Sequence, residues 1–335
     1  MIKIILDTDP GVGIPGTDAD DPIAILLALA HPDLQLLGIT TTFGNCPPEL
    51  GARGAKAVLA AAGRTDIPVR VGQPMPLGGS LPGDLEEVYR GTRGTVGRIA
   101  LPELEAVDRS QTAADFIIEQ AHAHPGEVTI VAIGPQTNLA LAMQKDPSVR
   151  GLLRSIVFMG GALGLDPRYG RGNVTSVAEC NIWYDPEAAD AVFRSGVDLT
   201  MVSLDVTNPA MGMVLPDEVA RSLRTSAGPV EAMLAWVCET YLDAPMFDWA
   251  HGCVLYDPLA VAAAADPALG AYEEIAVAVE LSGDYTRGQT VPVRENPPNL
   301  RAMVDVDGAS AVGDMVRTIL TLDSSPQYSD RKAQQ

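Results

Sequence analysis

The fold is predicted most directly by residues 2–30, which read IKIILDTDPGVGIPGTDADDPIAILLALA. The first apolar run, Ile2–Leu6, has the composition of a buried strand, and Pro22–Ala30 carries apolar residues at helical spacing. A segment rich in Gly, Pro and Asp joins the two and turns the chain. A buried strand, a loop and a helix in this order are typical of an α/β fold.

The same alternation of apolar runs and helix-like segments continues through the first two-thirds of the chain. The predicted strands are Ile2–Leu6, Leu34–Thr41, Ile67–Val71, Glu127–Ile133, Ser155–Met159 and Val197–Val202. The predicted helices are Asp21–Ala30, Pro48–Ala62, Thr112–His122, Thr137–Gln144 and Pro186–Arg194. This pattern predicts an α/β fold in which a mostly parallel, Rossmann-like sheet is flanked by helices.

The remaining segments differ in composition. Gly72–Arg98 is rich in Gly, Pro and charge, and predicts a long loop able to cover a site. Pro216–Ala265 is interpreted as helical, and Tyr272–Met303 as a small group of strands near the C-terminus. We therefore predict a single large domain over residues 1–322 and a disordered polar tail over residues 323–335.

Composition limits the partners. The 335 residues carry a formal net charge of −20, which repels phosphate backbones, so we expect no nucleic acid and a small neutral or cationic ligand. The widely spaced cysteines without a CxxC pair argue against a zinc site and fit a reducing compartment; they are Cys46, Cys180, Cys238 and Cys253. With no apolar run of membrane-spanning length and no signal-peptide pattern, a soluble cytoplasmic protein without a membrane partner is expected.

Small or polar residues follow several predicted strands. These segments are Asp7–Gly13, Thr40–Asn45, Gly134–Asn138 and Met159–Ala162. In open parallel sheets the ligand crevice lies outside the carboxyl ends of the strands, so we expect these segments to converge in space.

The most acidic stretch surrounds the first of these strand ends. Asp7 and Asp9 are one alternation apart and can face the same side, while Asp18, Asp20 and Asp21 precede an apolar helix. One interpretation is that Asp18 and Asp20 only cap this helix. The other is that a cation neutralises the cluster, because closely spaced carboxylates repel one another. Oxygen ligands without a nearby His or Cys favour calcium or magnesium over zinc.

The acidic stretch resembles the N-terminal motif DxDPGxDD of the inosine–uridine-preferring nucleoside hydrolases. Here Asp7-Thr-Asp-Pro-Gly-Val is separated from Asp20-Asp21 by the insertion Gly13–Ala19. Further matching motifs are Thr41-Thr-Phe-Gly-Asn45, Gly134-Pro-Gln-Thr-Asn138, Met159-Gly-Gly, Gly172-Asn173, Ala178-Glu-Cys-Asn181 and Tyr256-Asp-Pro258. The resemblance implies hydrolysis of the N-glycosidic bond of ribonucleosides to ribose and free base.

The resemblance also implies a Ca²⁺ cofactor, bound by Asp9, Asp21, Asp257 and the backbone carbonyl of Thr137. Asp9 is implied to be the general base, because in the family pattern it touches both the ion and the water. Calcium at such a site lowers the pKa of its bound water and binds the 2′- and 3′-hydroxyls of ribose. Asp7 is then interpreted as a support for the ligands.

The substrate-binding residues implied by the resemblance are Asp20, Asn45, Met159, Asn173, Glu179 and Asn181. Asp20 would accept hydrogen bonds from the 2′- and 3′-hydroxyls, with Asn45 and Asn181 on the same side. Asn173 and Glu179 would hold the 5′-hydroxyl. The alternative for the three asparagines is turn geometry, which Asn commonly adopts.

The leaving-group end departs from the family pattern. Many members have His immediately before the last metal-binding Asp, where it can protonate the departing base, but this chain has Tyr256. Two replacements stay open: Tyr256, together with Trp249, stacks on a purine, or His251 reaches in from the preceding segment. The simpler interpretations are a core or rim tyrosine and an exposed histidine. Stacking would give a weak preference for purine nucleosides.

Two further departures concern loops. Arg90-Gly91 stands in the long loop where many relatives have His-Gly. The insertion Gly13–Ala19 lengthens the link between the strand-borne and helix-borne carboxylates, so it must loop outward, and Asp18 is expected within that loop.

Two other functions are compatible with parts of the sequence. Asp7-Thr-Asp after an apolar strand also resembles the opening of a haloacid-dehalogenase-type phosphatase, which uses magnesium and needs a cationic side chain for phosphate. In the present chain no lysine follows a convincing strand; the lysines are Lys3, Lys56, Lys145 and Lys332. The other function is a non-catalytic calcium- or nucleoside-binding protein on the hydrolase scaffold. The hydrolase is preferred, acting in purine or pyrimidine salvage as a homo-oligomer, a dimer or tetramer.

Overall fold

A computed structural model describes residues 1–83, 85–86, 89, 101–103, 107–223, 228–294 and 296–324. Its strands are β1 (Ile2–Thr8), β2 (Leu34–Thr41), β3 (Val69–Val71), β4 (Val128–Ala132), β5 (Ser155–Met159), β6 (Leu199–Val202), β7 (Val214–Pro216), β8 (Gly252–Val254), β9 (Gly270–Ile275), β10 (Val277–Val279), β11 (Thr290–Pro292) and β12 (Leu300–Val306). Its α-helices are α1 (Asp20–Ala30), α2 (Pro48–Ala61), α3 (Ala113–Ala123), α4 (Thr137–Lys145), α5 (Val149–Leu152), α6 (Cys180–Tyr184), α7 (Pro186–Phe193), α8 (Asp217–Ser222), α9 (Pro229–Leu242), α10 (Asp257–Ala265) and α11 (Gly308–Leu320). Short 3-10 helices cover Pro209–Met211, Pro245–Ala250 and Thr321–Ser324.

The main sheet has eight strands in the order β3-β2-β1-β4-β5-β6-β12-β9. Its neighbours pair in parallel, except that the edge strand β9 runs antiparallel to β12. Because β1 lies between β2 and β4, the chain builds one half of the sheet first and then crosses to the other side of β1. A switch of this kind opens a crevice outside the carboxyl end of the central strand.

Both faces of the sheet are covered by helices. Ile4 and Leu6 of β1 belong to an apolar cluster with α1, α2, α9, α10 and α11, while Ile5 belongs to another with α3, α4 and α7. Consecutive side chains of a strand point to opposite faces, so a strand that is buried on both faces must be apolar throughout. The unbroken apolar run of β1 follows from this position.

The predicted α/β class is confirmed, and the predicted strands and helices of the first two-thirds are present with boundaries that differ by one or two residues. The strand predicted from Ile67 begins at Val69, because Pro68 has no N–H to donate to a neighbouring strand. The strand predicted from Val197 begins at Leu199, because the Val197 N–H donates to the Ser195 hydroxyl in a turn.

The C-terminal part is arranged differently from the prediction. Pro216–Ala265 is not wholly helical, since β8 lies within it and pairs with β7 in a separate two-stranded sheet. The strand group predicted over Tyr272–Met303 is divided: β9 and β12 extend the main sheet, while β10 and β11 pair with each other. Glu273 and Glu274 are exposed on β9, which suits an edge strand that must not pair further.

Asp323, the first residue of the predicted disordered tail, makes defined contacts with the rest of the domain. Asp323 accepts hydrogen bonds from the N–H groups of Val230 and Glu231, and so caps the start of α9. Residues 325–335 lie outside the described residues, as do 84, 87–88 and 90–98 of the predicted covering loop, including Arg90-Gly91. The domain limits stay a prediction. Within the described ranges, no helix combines the length and apolarity that crossing a bilayer requires.

Candidate active site

A cavity opens at the carboxyl edge of the main sheet, where the strand order switches. It is lined by Asp9, Asp18, Asp20, Asn45, Ile133, Met159, Asn173, Glu179, Cys180, Asn181, Tyr184, Tyr256 and Asp257. Asp9, Ile133 and Met159 lie at the ends of β1, β4 and β5, whereas Asp20 and Asp257 begin α1 and α10. The segments that follow the strands therefore meet at one cavity.

Asp9 is held by the loop that follows β2. Its Oδ2 accepts a hydrogen bond from the Asn45 N–H at 2.7 Å, and Asn45 Nδ2 donates to Asp21 Oδ2 at 2.9 Å. Asp21 Oδ1 accepts from the Thr8 hydroxyl and from the Asp9 N–H. Asn45 thus connects the strand-borne carboxylate to the helix-borne one.

Asp20 joins two helices that are far apart in the sequence. Its Oδ2 accepts hydrogen bonds from the N–H groups of Tyr256 and Asp257, both at 3.1 Å, at the start of α10. These N–H groups lack partners within their own helix. The start of α1 has no side-chain cap, so the interpretation that Asp18 and Asp20 only cap this helix is wrong. Asp20 instead brings the beginning of α10 to the acidic stretch.

Three carboxylates form the most compact cluster of potential metal ligands among the described residues. Asp20, Asp21 and Asp257 each offer one oxygen, and these three oxygens lie within 4.8 Å of one another. Donor sets made only of oxygen suit hard cations such as Ca²⁺ and Mg²⁺. The residues present therefore fit a divalent cation of this kind.

The cluster differs from the ligand set predicted from the sequence. It includes Asp20, which the resemblance assigned to the ribose. Asp9 lines the same cavity without belonging to the cluster. Thr137, at the first residue of α4, is fully buried and does not line the cavity; its hydroxyl donates to Asp185 Oδ2 at 2.6 Å.

Asp7 lies beneath the cavity and is fully buried. Its Oδ1 accepts hydrogen bonds from the Thr40 hydroxyl at 2.6 Å and from Asn138 Nδ2 at 2.8 Å. Asn138 also donates to the Thr41 carbonyl, so the ends of β1 and β2 and the start of α4 are tied together. Asp7 is absent from the cavity wall, which agrees with its interpretation as a support.

The cavity is strongly acidic. Burial raises the pKa of Asp9, Asp20 and Asp257 well above the ordinary range, and repulsion from neighbouring carboxylates raises it further. Burial raises the pKa of Asp21 less, to about 6, because hydrogen bonds from Thr8 and from other neighbours favour its charged form. The lining residues given above include no Lys, Arg or His. A bound divalent cation would relieve this repulsion.

Glu179 and its neighbours form the opposite wall. Glu179 Oε2 accepts from the Gly161 N–H at 2.8 Å, and Oε1 accepts from the Asn181 N–H at 2.9 Å, so Glu179 caps α6. Burial raises its pKa to about 7. Asn181 Nδ2 donates to the carbonyls of Met159 and Ile133, and thereby fixes the ends of β5 and β4.

The predicted asparagines are not held by left-handed turns. Among the described residues, His251 is the only non-glycine with a positive φ. Asn173 is exposed, and its Oδ1 accepts from the Cys180 N–H at 2.9 Å. Asn45, Asn173 and Asn181 all line the cavity, so the structure brings them together with the carboxylates.

Tyr256, which was predicted to stand at the leaving-group end, lines the cavity together with Tyr184 and Cys180. Burial raises the pKa of the Tyr256 phenol well above its usual value, which makes its hydroxyl a poor acid. Asp18 also lines this cavity. The insertion turns outward at Pro15 and Gly16, which are exposed, and returns to the cavity at Asp18.

Two predicted residues are not brought to the cavity, which corrects their assignment. His251 ends the 3-10 helix Pro245–Ala250 in a left-handed conformation, with φ 53°, and lines a separate cavity with Asp217 and Arg221. Trp249 does not line the acidic cavity either. Its ring stacks on that of Tyr169, with centroids 6.0 Å apart, and 49% of its surface stays exposed.

Sequence reasoning missed four lining residues: Asp18, which was expected only within the outward loop, and Ile133, Cys180 and Tyr184. Cys180 directly follows the predicted Glu179, and Tyr184 lies four positions later on the same short helix, α6. Residues four apart on a helix share a face, so the helical spacing was a usable signal for Tyr184. Ile133 directly follows β4 and offered no chemical signal.

The fold and the site together describe an α/β protein with an acidic cavity that fits a divalent cation. Comparison with known proteins identifies the family: the one described as inosine-uridine preferring nucleoside hydrolase matches residues 4–312. The chain belongs to this family. The match extends well beyond the last motif recognised in the sequence, Tyr256-Asp-Pro258, and includes β9 to β12.

Individual relatives act on different bases. The chain is 38% identical over 282 residues to uridine nucleosidase 1 of Arabidopsis thaliana, covering 84% of this chain and 79% of that one. It is 37% identical over 312 residues to the pyrimidine-specific ribonucleoside hydrolase RihA of Citrobacter koseri, covering 91% and 94%. A solved structure of a purine-preferring ribonucleoside hydrolase from Gardnerella vaginalis superposes with a TM-score of 0.81 at 32% identity, covering 96% and 99%.

These matches make the chain a nucleoside hydrolase and exclude the phosphatase alternative. Their names do not agree on the base, so family membership alone does not assign purine or pyrimidine nucleosides to this chain.

Proposed function

We propose that the chain hydrolyses the N-glycosidic bond of ribonucleosides to ribose and free base with Ca²⁺ as its cofactor. The observation that carries this proposal is the cluster of Asp20, Asp21 and Asp257, two members of which, Asp20 and Asp257, line the same cavity as Asp9. Calcium bound there would lower the pKa of a water and bind the vicinal hydroxyls of ribose. Asp21 and Asp257 are the proposed ligands, together with Asp9 and the Thr137 carbonyl.

Asp9 is the proposed general base. It is buried at the end of a central strand, and the Asn45 N–H orients its carboxylate. A general base must be held within reach of the proton that it accepts. The hydrogen bond from Asn45 and the place of Asp9 in the cavity wall support this role.

The carboxylates also stabilise the charge that develops on the sugar. Cleavage of an N-riboside passes through a transition state with oxocarbenium character, so negative groups around the ribose bind it more strongly than the substrate. Asp20 is proposed to accept hydrogen bonds from the 2′- and 3′-hydroxyls of ribose, with Asn45 and Asn181 on the same side. Glu179 and Asn173 are proposed to hold the 5′-hydroxyl, and Met159 to contact the ribose from the end of β5.

For the base, we propose a weak preference for purines. Tyr256 lines the cavity beside Asp257 and offers an aromatic face on which a purine can stack. The second candidate is a preference for pyrimidines, which the names of the uridine nucleosidase and pyrimidine-specific relatives favour. The two candidates differ in the relative kcat/KM for inosine and uridine.

We also propose that the chain acts in the cytoplasm, in nucleoside salvage, as a dimer or tetramer. Its four cysteines are unpaired, which suits a reducing compartment. Light scattering during size-exclusion chromatography measures the subunit number. A monomeric mass would contradict the oligomer.

The function is tested by measuring ribose reducing ends released from inosine, adenosine, guanosine, uridine and cytidine, with and without a calcium chelator. We expect release that stops with the chelator, returns with Ca²⁺, and is lost in Asp9→Ala but kept in Asp314→Ala, an exposed acid on α11. Bound nucleoside without release would show a non-catalytic homologue. Release that is insensitive to the chelator would contradict the cofactor.

A further inference from the structure

Tyr89 touches the backbone next to the proposed general base. Its hydroxyl donates to the Gly44 carbonyl at 2.9 Å and accepts from the Gly44 N–H at 2.8 Å. Both polar groups of one residue are therefore bound to a single phenol, in a buried position. Burial also raises the pKa of this phenol, so it stays protonated and able to donate.

Gly44 leads directly to the contact that orients Asp9. The next residue, Asn45, donates its N–H to Asp9 Oδ2 at 2.7 Å. Gly44 itself has φ 153°, and a Cβ built on it would lie 1.8 Å from Asp9 Oδ2. The backbone at Gly44 and the Asp9 carboxylate thus pack so closely that a shift in one must move the other.

We propose that Tyr89 is a positioning residue for catalysis, which holds Asp9 in its working orientation through Gly44 and Asn45. The inference rests on the proposed role of Asp9 as general base. Tyr89 does not line the cavity, so it acts through the peptide at Gly44 and not on the substrate. Tyr89 lies in the segment after β3, outside the family motifs that were recognised in the sequence. None of those motifs therefore indicates a contact between this segment and Asp9.

The hydroxyl can be tested apart from the ring. The ring of Tyr89 packs in a small apolar cluster with Phe43 and Leu85, which phenylalanine would preserve. Tyr89→Phe therefore removes the two hydrogen bonds to Gly44 and leaves the apolar packing in place. Without them, the Gly44–Asn45 backbone gains freedom and the Asn45 N–H no longer holds Asp9 in one orientation.

Tyr272→Phe is the matched control. The Tyr272 hydroxyl is buried and has no hydrogen-bond partner among the described residues, and Tyr272 lies on β9, at the far edge of the sheet from β1. The two variants thus lose the same buried hydroxyl, and only Tyr89 loses contacts that lead to Asp9.

The experiment compares both variants with the wild type by ribose-release kinetics and by hydrogen exchange of the peptide that contains Asn45. For Tyr89→Phe we expect kcat to fall about tenfold, the size typical of removing a group that orients an active-site residue, with KM changed less than about threefold. Exchange at Asn45 should rise on the order of tenfold. Tyr272→Phe should match the wild type in all three quantities.

Unchanged kcat in Tyr89→Phe, or a fall in kcat without faster exchange at Asn45, would overturn the proposal. So would an equal loss in Tyr272→Phe, since it would show a general effect of removing a buried hydroxyl. A wild-type chain that releases no ribose from any nucleoside would overturn the proposed function instead. In that case, hydrogen exchange alone would still test whether Tyr89 holds the backbone at Asn45, since faster exchange in Tyr89→Phe than in the wild type is expected.

Discussion

The metal end of the cavity and its leaving-group end are built in different ways. At the metal end, Asp9, Asp20 and Asp21 are fixed by hydrogen bonds from strand ends and helix starts. At the proposed leaving-group end, Tyr256 and Asp18 line the cavity without a side-chain hydrogen bond to any described residue, and no histidine is among the lining residues. The carboxylates proposed to cleave the bond are thus held by the fold, while the side chains proposed to meet the base are held by fewer contacts.

The largest effect is expected at the metal end. Asp9→Asn keeps the shape of the side chain but removes the proton acceptor, so kcat should fall on the order of 10³-fold. The control is Asp314→Asn, which changes an exposed carboxylate on α11. Ribose-release assays measure both. Loss of less than tenfold in Asp9→Asn would show that Asp9 is not the base.

Tyr256 provides a smaller effect at the leaving-group end. If Tyr256 stacks on the base, Tyr256→Phe should retain most of the kcat/KM for inosine, and Tyr256→Ala should lower it about tenfold, since aromatic contacts are worth on the order of 1 kcal/mol beyond burial. Uridine should be affected less than inosine. Equal, large losses in both variants would instead identify the hydroxyl as the group that matters.

Glu179, in the other wall of the cavity, should make the stability of the protein depend on pH. Because burial raises the pKa of Glu179 from 4.5 to about 7, the folded state binds more protons than the unfolded state between these values. The free energy of unfolding therefore falls as pH rises from about 4.5 to 7, by about 3 kcal/mol at most from this group.

Glu179→Gln cannot ionise, so its unfolding free energy should fall less steeply over the same pH range. Urea denaturation of the calcium-free protein at pH 5 and pH 8 measures the two slopes. Parallel slopes for wild type and variant would contradict the raised pKa of Glu179.

The smallest effect is expected at His251. Because this residue lines a different cavity, His251→Ala should change kcat/KM for inosine and uridine by less than about twofold. Steady-state kinetics with both nucleosides measures this. A loss above tenfold would show that His251 does serve the leaving-group end, and that the two ends of the cavity are more alike than the structure indicates.

The α/β class and the N-terminal group of carboxylates could be predicted from the sequence because both depend on local patterns. The apolar run of β1 and the spacing of Asp7, Asp9, Asp20 and Asp21 are visible without any tertiary information. The contact of Asp20 with the N–H of Asp257, 237 residues away, depends on how two helices pack, and no local pattern encodes it.

The features that could not be predicted from the sequence also depend on tertiary structure. His251 is close to Tyr256 in sequence, but its left-handed backbone places it at another cavity. Tyr89 carries no chemical signal, since its hydroxyl binds a backbone peptide and not a side chain of a motif. The strands near the C-terminus were predicted as strands, and their division between two sheets depends on long-range pairing.

Titration of the calcium-free protein with Ca²⁺, followed by calorimetry and by ribose release in the same samples, tests the metal end most directly. We predict one strong site in the wild type, with activity that rises in proportion to its occupancy, and both weakened together in Asp257→Ala. Unchanged calcium affinity in Asp257→Ala, or full turnover in the calcium-free wild type, would contradict the assignment of this carboxylate cluster as the metal site.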